Sequence, residues 1–362
     1  MSERITIDQI FSPDAVDSNY GIVAQGDGTV RFQIPSNGAA WTGALLFGET
    51  SGFFSGGKNV GASPVNTIRE LQFASDTTLL NTSILSNHHM CCGSGHSTPS
   101  DIFVAGGMND PANIAYSTAI DKMSTASCAA STCIGDVAEG FFRSDGGGQS
   151  TTTGYIISGA CPTSPFTNDT TQKYPFANAA LAQVLGDIGQ CSGNPLISSV
   201  NTHKTVSSDT GAYMLAADPS PVHCCVFKLP FANENSISCI ASIPELFVGG
   251  VGFNFGDQAN IVGGVGSADN CRSIKYTFAS DTTTVKGYMC AGLSFDPAVA
   301  ATYCDAAGVS SSACNGYVFG NFRCSGRCDI VKWQFASDFP GEVLGQAPSP
   351  LRGGYMIGWT VK

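Results

Sequence analysis

The residue types in this chain best suited to holding a metal ion fall in two short clusters. His88, His89, Cys91, Cys92 and His96 form the first, which takes three of the five histidines. His223-Cys224-Cys225 forms the second. On a strand, His89 and Cys91 would share a face, while Cys91 and Cys92 would point to opposite faces. Neither cluster has the paired C-x₂-C spacing of a structural zinc site. The sequence therefore assigns no metal ligand. The 15 cysteines are an odd number, so at least one lies outside any intramolecular pair. Cys128 with Cys133, Cys304 with Cys314, and Cys324 with Cys328 are close enough in sequence to be candidate pairs. Most of the others fall on expected strands, where cysteine serves as a small buried hydrophobe. Mainly buried, structural thiols are the expectation.

Signals for catalysis are weaker still. The chain has no G-x-S-x-G elbow, no H-E-x-x-H and no phosphate-binding glycine loop followed by lysine. The runs Gly146-Gly147-Gly148 and Gly249-Gly250 lack a strand-to-helix context and read as turns. Carboxylates are scattered, with no pair placed for glycosidic chemistry. No catalytic residue and no cofactor is assigned, and the expectation is a protein that is not an enzyme. Trp41, Phe166 and Phe295 are aromatics that a sugar-binding protein could present from loops.

The elements that must carry these residues form a repeat. Lys275-Tyr276-Thr277-Phe278-Ala279-Ser280-Asp281 returns as Lys332-Trp333-Gln334-Phe335-Ala336-Ser337-Asp338 and, earlier, as Glu70-Leu71-Gln72-Phe73-Ala74-Ser75-Asp76. Looser copies are Lys173–Asn178, Lys228–Asn233 and Lys122–Ser127. The anchor positions 73, 125, 176, 231, 278 and 335 stand 52, 51, 55, 47 and 57 residues apart. A period near fifty marks an array of supersecondary units. A second motif alternates with the first, an apolar run ending in small residues. Its copies lie at 52–57, 102–107, 154–159, 212–217, 260–264, 316–320 and 354–358.

Short runs rich in Tyr, Phe, Ile and Val, bounded by Gly, Ser, Asp and Asn, are strand chemistry. In the first motif Lys and Phe are three apart and face opposite sides, so the lysine is expected to be wet and the phenylalanine buried. The closing Asp or Asn favours a turn. Room remains in each unit for two further strands, for example Val184–Ile188 and His203–Ser207. Ala177–Leu185 has helix-forming residues but falls where other copies read as turn and strand. Four strands per unit in a repeated array predict an all-β chain, specifically a β-propeller. The units are expected at 43–86, 87–138, 139–189, 190–243, 244–294 and 295–347. An Asp27-Gly28 hairpin is expected over 21–34. The seventh second-motif copy, near Tyr355, has no partner after it. Val30–Asn37 fits the first motif with no second motif before it. Joining the two predicts a seventh, composite blade, with six blades as the alternative. The domain expectation is an extended arm at 1–20 and one propeller at 21–362.

The repeat as it stands in Lys275–Asp281, Lys332–Asp338, Val184–Ile188, Asp305–Ser311 and Tyr317–Gly320 resembles the Kelch-like repeats of structural proteins of tailed, marine-type bacteriophages. The resemblance covers roughly residues 43 to 362 and departs in its worn copies and its cysteine content. It implies a virion structural or appendage protein, such as a head decoration, fibre or tail component. Its partners would be other virion proteins, met through residues 1–20, and a host surface glycan or receptor. A secreted or surface carbohydrate-binding propeller is the alternative, and a propeller enzyme a more distant one. The net charge of −11 opposes nucleic-acid binding and attraction to anionic membranes. Met1–Asp8 lacks the apolar core of a secretory signal, so synthesis in a host cytoplasm and residence in the virion are expected.

Overall fold

The computed structural model describes residues 21–24, 30–33, 51–59, 66–73, 75–86, 93–110, 115–125, 127, 129–138, 147–159, 168–180, 182–187, 203–218, 223–243, 251–255, 257–262, 272–288, 307–310, 315–319, 329–334, 342–346 and 351–360. Among them there is no helix, and the protein is all-β. The chain forms two compact units, Met1–Phe47 and Gly48–Lys362. In the first, β1 (Gly21–Ala24) and β2 (Val30–Gln33) make the expected antiparallel hairpin, with Gly21 opposite Gln33 and Ala24 opposite Val30.

The described residues of the second unit form six four-stranded antiparallel sheets and one two-stranded ribbon. Sheet 1 begins with β3 (Ser51–Asn59), β4 (Thr67–Gln72) and β5 (Thr77–Ile84). Sheet 2 has β6 (Ser94–Ser97) and β7 (Asp101–Ala105). A two-stranded ribbon follows, β8 (Met108–Asp110) with β9 (Ala115–Tyr116), and then β10 (Ala119–Ser124) and β11 (Thr132–Asp136) complete the sheet. Sheet 3 has β12 (Gly147–Gln149), β13 (Thr153–Gly159), β14 (Asn168–Pro175) and β15 (Gln183–Asp187). Sheet 4 has β16 (His203–Ser207), β17 (Gly211–Asp218), β18 (His223–Pro230) and β19 (Ser238–Ser242). Sheet 5 has β20 (Val251–Phe255), β21 (Gln258–Val262), β22 (Arg272–Thr277) and β23 (Thr282–Tyr288). Sheet 6 has β24 (Ala307–Ser310), β25 (Asn315–Phe319), β26 (Asp329–Gln334) and β27 (Glu342–Gln346). The last strand, β28 (Leu351–Thr360), takes the first place in sheet 1, beside β3.

The first six copies of the second motif are second strands and the six copies of the first motif are third strands, so the repeat is one sheet. The first strands adjoin in succession: β6 and β12, β12 and β16, β16 and β20, β20 and β24, β24 and β28, β28 and β6. Gln149 ties three of them. Its side chain accepts from Ser97 N (2.8 Å) and donates to Ser97 O (3.0 Å), while its own backbone N–H donates to Ser207 Oγ (2.8 Å).

The core lies between sheets. Because side chains alternate along a strand, neighbouring residues serve different interfaces. Ile156 packs with Phe103, Ile120 and Tyr174 toward sheet 2, whereas Tyr155 and Ile157 pack with Met214, Phe227 and Leu229 of sheet 4. Both faces are covered, which is why these strands read as unbroken apolar runs. The outer pair of every sheet carries a register shift, for example at Ile120/Asp121, Thr171/Gln172 and Val226/Phe227. A bulge beside an edge strand twists it away from further pairing.

Two expectations change. The C-terminal strand, expected to complete a blade with the N-terminal hairpin, completes sheet 1 instead. It pairs antiparallel with β3, from Leu351 opposite Asn59 to Thr360 opposite Gly52. In sheets 2 to 6 the chain enters at the first strand, but in sheet 1 it enters at the second, and β28 supplies the missing place. The seventh aromatic run is thus a first strand, and it has no first motif after it because the strands that follow it in its sheet, β3 and β4, come earlier in the chain.

The second change concerns glycine. Gly147 and Gly148 lie within β12 rather than in a turn. A Cβ on Gly147 would meet His96 Nε2 at 2.2 Å and Ser94 Oγ at 2.5 Å, because sheets 2 and 3 approach closely there. Gly147→Ala is expected to destabilise the protein by about 1–3 kcal/mol, as overpacking does. Chemical denaturation of the variant against the parent measures this.

Candidate functional site: polar clasps between sheets

The lysines of the first motif hold one repeated place on the third strand of sheets 2 to 6. Register sets each opposite the lead residue of the second motif: Tyr155 faces Lys173, Tyr213 faces Lys228 and Tyr317 faces Lys332. The aromatic ring and the lysine stem thus lie side by side, with Lys228 Nζ 5.2 Å from the Tyr213 ring and Lys332 Nζ 5.8 Å from that of Tyr317. The turn closing the next sheet's first motif then supplies a carboxylate.

Three such clasps are described. Between sheets 3 and 4, Tyr155 Oη donates to Glu234 Oε1 at 2.6 Å, and Lys173 binds the other carboxylate oxygen. Between sheets 6 and 1, Tyr317 Oη donates to Asp76 Oδ1 at 2.8 Å and Lys332 Nζ to Asp76 Oδ2 at 2.7 Å. Between sheets 4 and 5, Lys228 lies 3.9 Å from Asp281, which also accepts from Tyr276 Oη at 2.6 Å. Beside each carboxylate the motif phenylalanine covers the tyrosine. Phe73 stacks on Tyr317 (5.1 Å), Phe231 on Tyr155 (5.0 Å), and Phe278 packs tilted on Tyr213 (4.7 Å). The motif's Phe-x-x-Asp therefore holds a neighbouring sheet as well as making a turn. Asp76 and Asp281 adopt φ of 54° and 51°, a left-handed conformation that aspartate tolerates better than most residues.

The expected wet lysine is corrected by this geometry. Lys332, Lys173 and Lys228 keep only 18%, 24% and 24% of their side-chain surface, because the neighbouring sheet closes over them. The tyrosines are driven away from acid–base chemistry. Burial, then the hydrogen bond and negative charge of Glu234, raise Tyr155 far above its ordinary value. Burial and Asp76 do the same to Tyr317. Both remain permanent donors. Burial alone would raise the Glu234 carboxyl, but hydrogen bonds from Lys173 and Tyr155 and the lysine charge outweigh it and leave it lowered.

Where the motif is worn, other groups take over. Sheet 1 has Glu70 at the lysine position, and sheet 2 has Cys128 at the carboxylate position. Both halves of that clasp are missing together. Buried Asp121 joins these sheets instead, accepting from Ser86 N (2.7 Å), Ser86 Oγ (2.6 Å) and Ser131 Oγ (2.9 Å). Sheet 3 has Ala179 at the carboxylate position, and Lys122 turns to Asp101 of its own sheet at 3.2 Å. His96 and the Phe103–Phe176 stack (4.8 Å) hold that junction. The partners Phe335 and Asp338, which would clasp Lys275, lie outside the described residues.

His96 is the one described member of the first histidine–cysteine cluster. It is fully buried; its Nδ1 accepts from Tyr174 Oη at 2.7 Å, and its Nε2 donates to Tyr155 O at 3.1 Å. Both nitrogens are occupied by protein groups. His88, His89, Cys91 and Cys92 lie outside the described residues, as do Trp41, Phe166 and Phe295. For His223, Cys224 and Cys225 the description reaches the backbone, which pairs with Asp218, Ala217 and Ala216. Among the described residues no group of three or more His, Cys, Asp or Glu could hold a metal ion.

The expectation of buried cysteines fails at Cys133 and Cys239, both exposed. They occupy one repeated position, the second residue of an outer strand, where exposed Val184 stands in sheet 3. Each sulfur reaches the carbonyl two residues on, at 3.6 Å to Gly135 and 3.7 Å to Ala241. Brief alkylation of the native protein, mapped by mass spectrometry, is expected to label both. Protection of both would contradict their placement.

No protein-family model matches the chain, and no curated protein matches its sequence.

Proposed function

We propose that Gly48–Lys362 is a closed, six-bladed β-propeller of Kelch-like type acting as a virion structural or appendage protein, in particle assembly or host-surface attachment. One observation carries the scaffold reading. Among the described residues, Tyr155, Lys173 and Glu234, and likewise Tyr317, Lys332 and Asp76, are spent between sheets rather than gathered in a reactive site, and the second set clasps the last sheet to the first. The succession of adjoining first strands, which returns from β28 to β6, supports closure. The seat of β28 in sheet 1 favours six blades over seven. Such a body is a rigid holder whose loops are free to differ. The virion assignment rests on the repeat resemblance together with the acidic chain. Residues 1–20 are the proposed arm toward other virion proteins, and a host glycan or receptor is the proposed outer partner.

Density-gradient purification of particles from lysates of cells carrying the gene provides the test. Stoichiometric recovery of this chain with capsid or tail proteins is expected. Recovery only as free protein would overturn the virion assignment.

A further inference from the structure

We propose that the junction of sheets 2 and 3 is an acid-opened seam, in which protonation of His96 separates these two sheets before the others and exposes the aromatic face between them. His96 projects from β6 into sheet 3 and is surrounded on every side. Ser94 of its own strand lies 3.5 Å from Nε2. The Tyr155 carbonyl on β13 and the Tyr174 hydroxyl on β14 take its two nitrogens. Tyr174 and Phe176 press on the ring at centroid distances of 5.2 and 6.3 Å. Gly147 and Gly154 leave room for it, since a Cβ on Gly154 would meet the ring at 3.0 Å. Among these neighbours there is no carboxylate.

This packing fits only the neutral ring. Nε2–H donates to a carbonyl, so Nδ1 must be the acceptor of the Tyr174 hydroxyl. Burial holds Tyr174 well above its ordinary value, so it stays a donor. A proton on Nδ1 would put two donors face to face and strand a cation in an apolar seam. Burial lowers His96 from 6.5 to about 4, despite backbone hydrogen bonds that act the other way. The neutral form is therefore the folded one. Its stabilisation is complete above pH 6.5 and is lost as pH falls toward 4.

The ion-pair clasp is missing here, as it is between sheets 1 and 2, and at this seam a buried histidine stands in its place. At the 3–4 junction, Glu234 is held ionised to lower pH by Lys173 and Tyr155. A carboxylate of that kind keeps its charge, and its clasp, until pH falls through its lowered value. Opening would expose Phe103, Ile156, Tyr174 and Phe176.

Peptide-level hydrogen exchange on the full chain, corrected for intrinsic rates and run from pH 7 to pH 4, tests the order. Protection over 94–97 and 168–175 is expected to fall at least tenfold across this range while 211–218 changes little. His96→Gln keeps a donor and an acceptor without a titrating group, and should remove the selective loss. Simultaneous loss in all sheets, or the same profile in the variant, would overturn the proposal. If the variant does not fold, the His96 ring is titrated by NMR in the parent protein. A midpoint well below 6.5 supports the seam, and an ordinary midpoint overturns it.

Discussion

Truncation after Pro348 is expected to lower the melting temperature by roughly 10 °C or more, or to leave the protein aggregated. The deleted segment includes all of β28, whose ladder with β3 runs from Leu351–Asn59 to Thr360–Gly52. Each backbone hydrogen bond contributes only about 1 kcal/mol net. The larger effect is collective. β3 carries Phe53 and Phe54, both buried, and would become an open edge facing water. β28 also lies against β24 and β6, so its loss removes the neighbour of two other sheets. On the closed-ring reading, sheets 6 and 2 then have nothing between them at the centre. A synthetic peptide of residues 349–362 added in trans should recover part of the lost stability. A truncated protein that melts like the full chain would show that β28 does not close the structure.

Asp76→Ala is expected to cost about 2–3 kcal/mol, the second largest effect of a small change. The carboxylate accepts from Tyr317 and Lys332 at once, and its loss leaves a buried hydroxyl and a largely covered ammonium unpaired. The figure stays below that of a fully buried pair because Lys332 and Asp76 keep 18% and 28% of their side-chain surface, and water screens part of the charge. Alanine also tolerates the φ of 54° poorly. Asp76→Asn separates the causes, since it keeps the backbone preference and an acceptor for Tyr317 while removing the charge. It should cost less than half as much. In a double-mutant cycle, Lys332→Ala and Asp76→Ala should be coupled by about 1 kcal/mol, and additivity would show that no clasp exists. A pH dependence is expected at the 3–4 junction, where Lys173 and Tyr155 hold the Glu234 carboxyl below its ordinary value: that stabilisation is present above the ordinary carboxylate value and lost as pH falls through the lowered one.

The strands were legible because their signals are local. Apolar runs bounded by Gly, Ser and Asp fell on second and third strands in every unit, and the expected unit boundaries enclose sheets 2 to 6 and three of the four strands of sheet 1. The described residues of Ala177–Leu185, a stretch with helix-forming residues, are turn and strand, as the repeat required. The Asp-Gly hairpin at 21–34 is likewise a property of a few adjacent residues. By itself, then, the sequence determined the strand content, the unit length and the residue types at the motif positions.

What those residues touch was decided by the tertiary structure. Lys173 and Glu234 are 61 positions apart and Lys332 and Asp76 are 256 apart. Within one unit the lysine and the carboxylate look like a wet face and a turn former, and only stacking of the next sheet makes them partners. Paired loss of the clasp at Glu70 and Cys128 is invisible until that stacking is known. His96 sat in an apparent ligand cluster, yet the close approach of glycine-bearing β12 and β13 encloses its ring between sheets. The place of β28 was undetermined for the same reason. Backbone hydrogen bonding is the same for every strand, so the partner is chosen by which edge the folded chain leaves open, and that edge was β3.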